Sequence, residues 1–230
     1  MGEYWSYYNP VNTYFGRGCL SVLLEQVTNR RCLVVTSARG RRQLCVNSIL
    51  AQIVNQSQVQ WLDEVRTNPD INDLQADINR LRGQKFDAII GFGGGSALDS
   101  AKVLAVALSP ELKVFVLSEL LENPELHKAV EPIKLYAVPT TAGTGSEVTP
   151  FATVWDHGKR EKHSLTGPGV FPHSAFVDPA LTDDLPAEIT LSTGLDAINQ
   201  AVESIWNKNA TPLSIDYATR ALKLGFPALR

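Results

Sequence analysis

"DAIIGFGGGSALDSAKVLAVAL", Asp87 to Leu108, joins a strand-like run to a helical one through glycine. An apolar run of the kind a fully buried strand needs enters three successive glycines, and strong helix formers follow at once. A strand-to-helix turn without Cβ atoms lets backbone N–H groups approach a ligand closely, and the N-terminus of the following helix favours negative charge. Gly93, Gly94 and Gly95, with the hydroxyl of Ser96, therefore suit a diphosphate, although a plain tight connection uses the same residues. The pattern is neither GxGxxG nor a Walker loop, since no Gly-Lys-Ser/Thr closes it.

Downstream, "KLYAVPTT" repeats the arrangement of a strand running into a polar loop. Thr140, Thr141, Thr144, Ser146 and Thr149 set hydroxyl donors around Gly143 and Gly145, which suits a ribose and a nicotinamide carboxamide. Upstream, "RCLVVTS" reads as a short β-branched strand, followed by a helical segment carrying Leu44, Ile49, Ile53 and Val54. "VQWLDEV" reads as the next strand, and "DINDLQADINRLRG" places Ile71, Leu74, Ile78 and Leu81 on one helical face before Gly83 ends it. Strands alternating with helices predict an α/β fold, a doubly wound, Rossmann-like parallel sheet whose ligands sit at the C-terminal ends of the strands. Both loops are then expected on the same edge.

"FATVWDHGKREKHSL", Phe151 to Leu165, predicts a β-hairpin covering the ligand crevice. Beyond "AFVDP", Pro186 and Ala187 introduce the helical pattern "EITLSTGLDAINQAVESIWNK". The expected division is a dinucleotide-binding α/β domain over 1–185 and the beginning of a helical domain over 186–230. Trp155 and Trp206 are either walls of a pocket or ordinary core aromatics.

The chain has 230 residues, 21 basic and 24 acidic side chains and a formal net charge of −3, so no broad attraction draws it to nucleic acid or to an anionic membrane. Cys19, Cys32 and Cys45 are odd in number and lack CxxC spacing, which fits a reducing cytoplasm better than a disulfide framework. No apolar run is long enough for a membrane span, and the start lacks the features of a signal peptide. Met1, Gly2 and Ser6 satisfy a short acylation pattern that is read as accidental. At the end of the first strand of the βα series, where a dinucleotide fold often carries an acid for the adenosine ribose, stands Ser37, with Arg39, Arg41 and Arg42 behind it. That leaves room for a 2′-phosphate and favours NADP over NAD; arginines that are merely solvated are the other reading.

In "GGGSALDSAK", "PTTAGTGSEVTP", "FVDPALTDDLP" and "GLDAINQAVES" the sequence resembles the iron-containing (group III) alcohol dehydrogenases over nearly its whole length. The resemblance implies the dehydroquinate-synthase-like fold, with a helical metal-binding domain after the cofactor domain. It implies that Gly93, Gly94, Gly95 and Ser96 cradle the pyrophosphate, that Asp99 and Lys102 support that loop, and that Thr140, Thr141, Thr144 and Thr149 line the ribose and nicotinamide. Lys162 matches a family lysine near the cofactor ribose, and an exposed hairpin lysine is the plain alternative.

The family's metal helix carries an Asp followed four residues later by a His; here the pair is Asp196 and Gln200, and the two remaining ligand histidines of the family are expected further towards the C-terminus than this chain extends. A divalent iron or zinc ion in such a site polarises an aldehyde oxygen, and Gln is a poorer ligand than imidazole. Glu203, one turn beyond, is read as a solvated carboxylate rather than a third ligand. "ATVWD", "KHSL" and "SIWNKNATPLS" are similar to the branch that reduces phosphonoacetaldehyde.

The expected function is a metal-assisted, NAD(P)-dependent alcohol dehydrogenase or aldehyde reductase acting on a small aldehyde or alcohol, with phosphonoacetaldehyde as one such substrate. The alternative is a non-catalytic nucleotide-binding fragment; a dehydroquinate-synthase-like lyase fits the motifs less well. The protein partners this reading admits are a second copy, in a homodimer, or a complementing C-terminal chain. A helical domain beginning at 186 and ending at 230 is expected to leave an apolar face uncovered, and activity is expected to be low for the chain alone.

Overall fold

A computed structural model describes residues 4–229, so Met1 and Gly2 of the acylation match lie outside the described residues. In chain order the elements are β1 (Asn12–Phe15), α1 (Leu20–Val27), β2 (Arg31–Val35), α2 (Ala38–Val46), α3 (Ser48–Gln56), β3 (Gln58–Leu62), α4 (Ile71–Leu81), β4 (Ala88–Gly93), α5 (Gly95–Ala107), α6 (Leu117–Glu122), β5 (Leu135–Pro139), β6 (Phe151–Asp156), β7 (Glu161–Thr166), β8 (Ser174–Val177), α7 (Ala187–Trp206) and α8 (Pro212–Ala228).

Six strands form one parallel sheet in the order β1-β8-β5-β4-β2-β3. From β2 the chain moves outward to β3, returns past β2 to β4, and then continues in the opposite direction through β5 and β8. The order therefore reverses between β2 and β4, and the crevice outside their C-terminal ends is where such sheets bind ligands. The predicted doubly wound α/β architecture is the one observed.

Side-chain alternation along the strands divides the core in two. Leu33 and Val35 of β2 and Ile89 of β4 face one side, where Leu74, Ile78 and Leu81 of α4, most of α5, and Leu117 and Leu120 of α6 cover them. Cys32, Val34, Ile90 and Phe92 face the other, under Leu20, Leu23 and Val27 of α1 and Leu50 and Ile53 of α3. Burial on both faces is why the central strands read as continuous apolar runs rather than as alternating ones.

The helical segment after β2 is divided into α2 and α3 at Asn47, whose side chain accepts from the N–H groups of Ile49 and Leu50 and so starts a new helix. β1, α1 and β8 had no counterpart in the sequence reading: four-residue strands are too short to display a period, and α1 is a helix of only eight residues. α4 matches its prediction: Asp70 caps it by accepting from Asn72 N, and Gly83 leaves it at φ 87°.

The predicted hairpin is β6–β7, paired antiparallel from Phe151↔Thr166 to Asp156↔Glu161. Ala152, Val154 and Leu165 on its inner face are buried in the cluster under α4, α5 and α6, so one face of the hairpin belongs to the core. After Pro186 the described chain is helical, and α7 packs along α8. Leu191, Leu195, Trp206, Tyr217, Leu224 and Phe226 of this pair are exposed, as expected for an uncovered apolar face. Trp206 is 71% exposed and is neither core nor the wall of an enclosed pocket. No described helix is long and apolar enough to cross a membrane.

Candidate active site

β4 delivers its last residue, Gly93, at φ 148°, a conformation that side chains rarely adopt, and a Cβ there would lie 2.8 Å from the Cβ of Ala97. Gly94 and Gly95 then open α5. The helices after β2 and β3 are capped by Ser37 and Asp70, whereas no side chain caps α5. Ala97 N donates to Gly94 O at 3.0 Å, which leaves the N–H groups of Gly95 and Ser96 at the open end of the helix without a side-chain acceptor.

The second loop packs directly on the first. Thr140 N donates to Gly93 O at 3.0 Å. A Cβ at Gly94 would lie 3.3 Å from Thr141 Oγ1, and one at Gly95 would lie 2.7 Å from Thr144 Cγ2. The glycines are thus required by the approach of the threonines, and the two loops form one surface. Thr144 Oγ1 accepts from Ser146 N at 3.2 Å, which folds the second loop on itself.

Ser37 caps α2 by accepting from Gly40 N at 3.2 Å, and the preceding Thr36 donates its hydroxyl to Phe92 O at 2.7 Å, joining the ends of β2 and β4. The Ser37 turn is thereby held beside the glycine loop across the β2/β4 crevice. Of the arginines behind it, Arg41 is paired with Asp63 and lies 4.8 Å from the centre of the Trp61 ring, while Arg39 donates to Asp184 O at 3.3 Å. Neither is simply solvated.

Asp99 and Lys102 tie α5 to the second loop and to the hairpin. Asp99 Oδ1 accepts from Ser146 Oγ at 2.6 Å, and its Oδ2 accepts from Thr153 N at 2.9 Å. Burial raises the pKa of the Asp99 carboxyl, against these hydrogen bonds and the charges of Lys102 and Lys162. Lys102, fully buried, donates to Thr149 O at 2.9 Å, Thr149 Oγ1 at 3.2 Å and Phe151 O at 2.7 Å. Burial lowers its pKa to about 8, with Asp99 and Glu147 opposing the shift. Glu147 is itself raised by burial. Thr149 therefore has its hydroxyl oxygen engaged by Lys102, which leaves it a proton to donate.

Lys162 is exposed on β7, opposite Trp155, with Nζ 5.6 Å from the centre of that indole ring. Asp196 and Gln200 lie on α7 one and two turns beyond Thr193, the residue that touches Gly143 of the second loop. Gln200 Nε2 donates to Asp196 Oδ2 at 2.8 Å, so the two satisfy each other. Glu203 is exposed and accepts from Asn199 at 2.9 Å, in line with its reading as a surface carboxylate. Among the described residues no group of three or more His, Cys, Asp or Glu side chains is placed to hold a metal ion.

Sequence reasoning named Arg41 but missed its partner Asp63, and it missed Thr36, Asn68 and His157. Each acts across elements distant in the chain and had no local signature.

The fold and these loops have known counterparts. Residues 10–179 match the model of the iron-containing alcohol dehydrogenase family. The phosphonoacetaldehyde reductase of Streptomyces viridochromogenes is 39% identical over 166 residues, covering 71% of this chain and 41% of that protein. An iron-containing alcohol dehydrogenase from Thermotoga maritima superposes with a TM-score of 0.87 at 33% identity, over 98% of this chain and 62% of that one. A sulfoacetaldehyde reductase from Bifidobacterium kashiwanohense, solved in complex with NAD+, superposes with a TM-score of 0.86 at 28% identity, over 99% of this chain and 60% of that one. The chain spans 26% to 54% of the length of such curated relatives. With a family match across 10–179 and the same fold along almost its whole length, the chain belongs to the iron-containing alcohol dehydrogenase family.

Proposed function

We propose that the β2/β4 crevice binds a nicotinamide dinucleotide and that this chain is the cofactor-binding part of an NAD(P)-dependent alcohol dehydrogenase or aldehyde reductase. The observation that carries the reading is the uncapped N-terminus of α5 beneath a glycine loop against which Thr141 and Thr144 are packed. In this arrangement the diphosphate lies on the N–H groups of Gly94, Gly95 and Ser96, where the helix dipole and the Ser96 hydroxyl offset its charge. Thr140, Thr141, Thr144 and Thr149 present donors to the ribose and carboxamide, and Lys162 approaches from the hairpin. An apolar cavity of about 270 Å³ between α7 and α8, walled by Thr193, Ile198 and Gly225 among others, reaches Ala142 of the second loop with Thr182 and Leu185 and offers a planar base a dry surface.

When bound, the nicotinamide dinucleotide would supply the hydride chemistry, giving hydride to the carbonyl carbon of a small aldehyde or taking it from the carbinol carbon of the corresponding alcohol. The chain's own residues bind and orient it, and Asp99 and Lys102 hold the two loops and the hairpin in register. The absence of an acid at Ser37, together with the neutralisation of Asp63 by Arg41, supports NADP over NAD, because an unpaired carboxylate near the end of β3 would repel a 2′-phosphate. Likeness to a phosphonoacetaldehyde reductase favours a phosphonate-bearing aldehyde as substrate. Among the described residues Asp196 and Gln200 stand at family metal positions without a third donor beside them, so metal assistance would draw its further donors from outside the described residues. The hydrogen bond by which the Gln200 amide engages Asp196 favours a second reading, a nucleotide-binding part without turnover of its own.

The test is a titration of the 230-residue chain with NADPH and NADH, followed by nicotinamide fluorescence, with and without Fe²⁺ or Zn²⁺. Tighter binding of NADPH, unchanged by metal, is expected. Failure of both cofactors to bind overturns the dinucleotide reading, and metal-dependent turnover by this chain overturns the account of its donors.

A further inference from the structure

Ser96, the last residue of the glycine loop, has a second set of contacts that the phosphate reading does not use. Its Oγ accepts from the backbone N–H of Asn68 at 3.2 Å, in the loop between β3 and α4. With a lone pair taken by that N–H, the hydroxyl's own proton is directed away from Asn68 and is free to be donated. Asn68 is held at φ 57°, a left-handed conformation that Asn tolerates and that turns its N–H and C=O in directions an extended residue would not offer.

The other side of Asn68 is held by His157, the first residue after β6. His157 Nε2 lies 3.3 Å from Asn68 O, and as a donor its N–H meets that carbonyl. The ring is fixed in turn by stacking on Trp155, with centroids 6.2 Å apart and planes 9° from parallel. Its backbone N–H donates to Asp70 Oδ2 at 3.3 Å, and Trp155 N donates to Pro69 O at 2.8 Å. The 68–70 segment is thus sewn to the root of the hairpin on one side and to Ser96 on the other. Lys162, opposite Trp155, shares that face of the hairpin.

We propose that His157 is a positioning residue for cofactor binding: through Asn68 it fixes the rotamer of Ser96 so that its hydroxyl proton is presented to an anionic group on the glycine loop. This rests on the reading of the glycine loop as a diphosphate site. His157 does not touch the ligand; its effect passes through the 68–70 segment, which links the placement of the hairpin to the donor set of the phosphate loop. Because His157 is exposed and outside both core clusters, its replacement is tolerated by the fold.

The experiment compares NADPH dissociation constants for the parent chain, His157→Phe, His157→Gln, Ser96→Ala and the double variant His157→Phe/Ser96→Ala. Phe keeps the stacking on Trp155 and loses the Nε2 donor; Gln restores an N–H at about the same reach. His157→Phe is expected to weaken binding about 3- to 10-fold, the effect of one hydrogen bond, with His157→Gln within about 2-fold of the parent. The double variant is expected to bind no more weakly than Ser96→Ala, because His157 acts only through that hydroxyl. If Ser96→Ala weakens binding while His157→Phe does not, or if the two effects add in full, the role of His157 is overturned and the diphosphate reading stands. If Ser96→Ala leaves the affinity unchanged, the roles of the Ser96 hydroxyl and of His157 are overturned while the backbone diphosphate site stands; if the parent chain does not bind NADPH, the diphosphate reading itself is overturned.

Discussion

Lys102→Met is the perturbation that tests most directly whether the two loops and the hairpin form one body. Methionine keeps the unbranched, buried stem that leaves α5 and removes the ammonium that donates to Thr149 O, Thr149 Oγ1 and Phe151 O. Hydrogen bonds from a charged donor contribute roughly 1.5–3 kcal/mol each. Against them stands the confinement of the charge: a pKa drawn from 10.5 to about 8 corresponds to about 3 kcal/mol at 1.36 kcal/mol per unit. The balance favours the native lysine by about 3 kcal/mol, and the variant also leaves two carbonyls without their donor. For a domain of this size each kcal/mol moves Tm by about 2–4 °C, so a drop of roughly 6–12 °C is expected. Thermal unfolding followed by circular dichroism at pH 7 measures it, and exchange of the Thr153 amide hydrogen, which Asp99 accepts, should accelerate. A melting temperature within about 2 °C of the parent would refute the clamp, because it would mean that the three acceptors are as well served without the ammonium.

Gly95→Ala places a Cβ 2.7 Å from Thr144 Cγ2, so the second loop must retreat; NADPH affinity is expected to fall about tenfold or more, with a smaller change in Tm than Lys102→Met produces, as read by fluorescence titration and calorimetry. His127 is buried with both ring nitrogens lacking a hydrogen-bond partner, and burial lowers its pKa. The unfolded chain therefore takes up this proton first as pH falls below about 6.5, and the stability contributed by neutral His127 is lost from there downward; His127→Leu should flatten the fall in urea midpoint between pH 7 and pH 5.

The glycine loop was legible because three adjacent glycines between an apolar run and helix formers have few uses. What they are for differs in part from what their spacing implied. Gly95 is needed as much for the approach of Thr144 as for any ligand, and that contact joins residues separated by nearly fifty positions. Thr149 carries a second duty as acceptor for Lys102, and Arg41 is held by Asp63. The break at Asn47 was hidden because the apolar spacing of Leu44, Ile49 and Ile53 continues across it, while the capping geometry that ends one helix and begins the next depends on backbone direction. β1 and β8 earn their pairing from each other and from β5, not from their own four residues.

The alternation of strands and helices, the two polar loops and the Asp196/Gln200 pair are written in the chain locally, because hydrophobic period, glycine and hydroxyl content are local properties. Only the tertiary structure decided that the chain reverses between β2 and β4, that Thr36 binds Phe92 O across that crevice, and that Gln200 turns its amide to Asp196. It likewise decided that Asn68 connects His157 to Ser96. These depend on which buried faces pack together, and such packing is a free-energy balance over residues far apart in the chain.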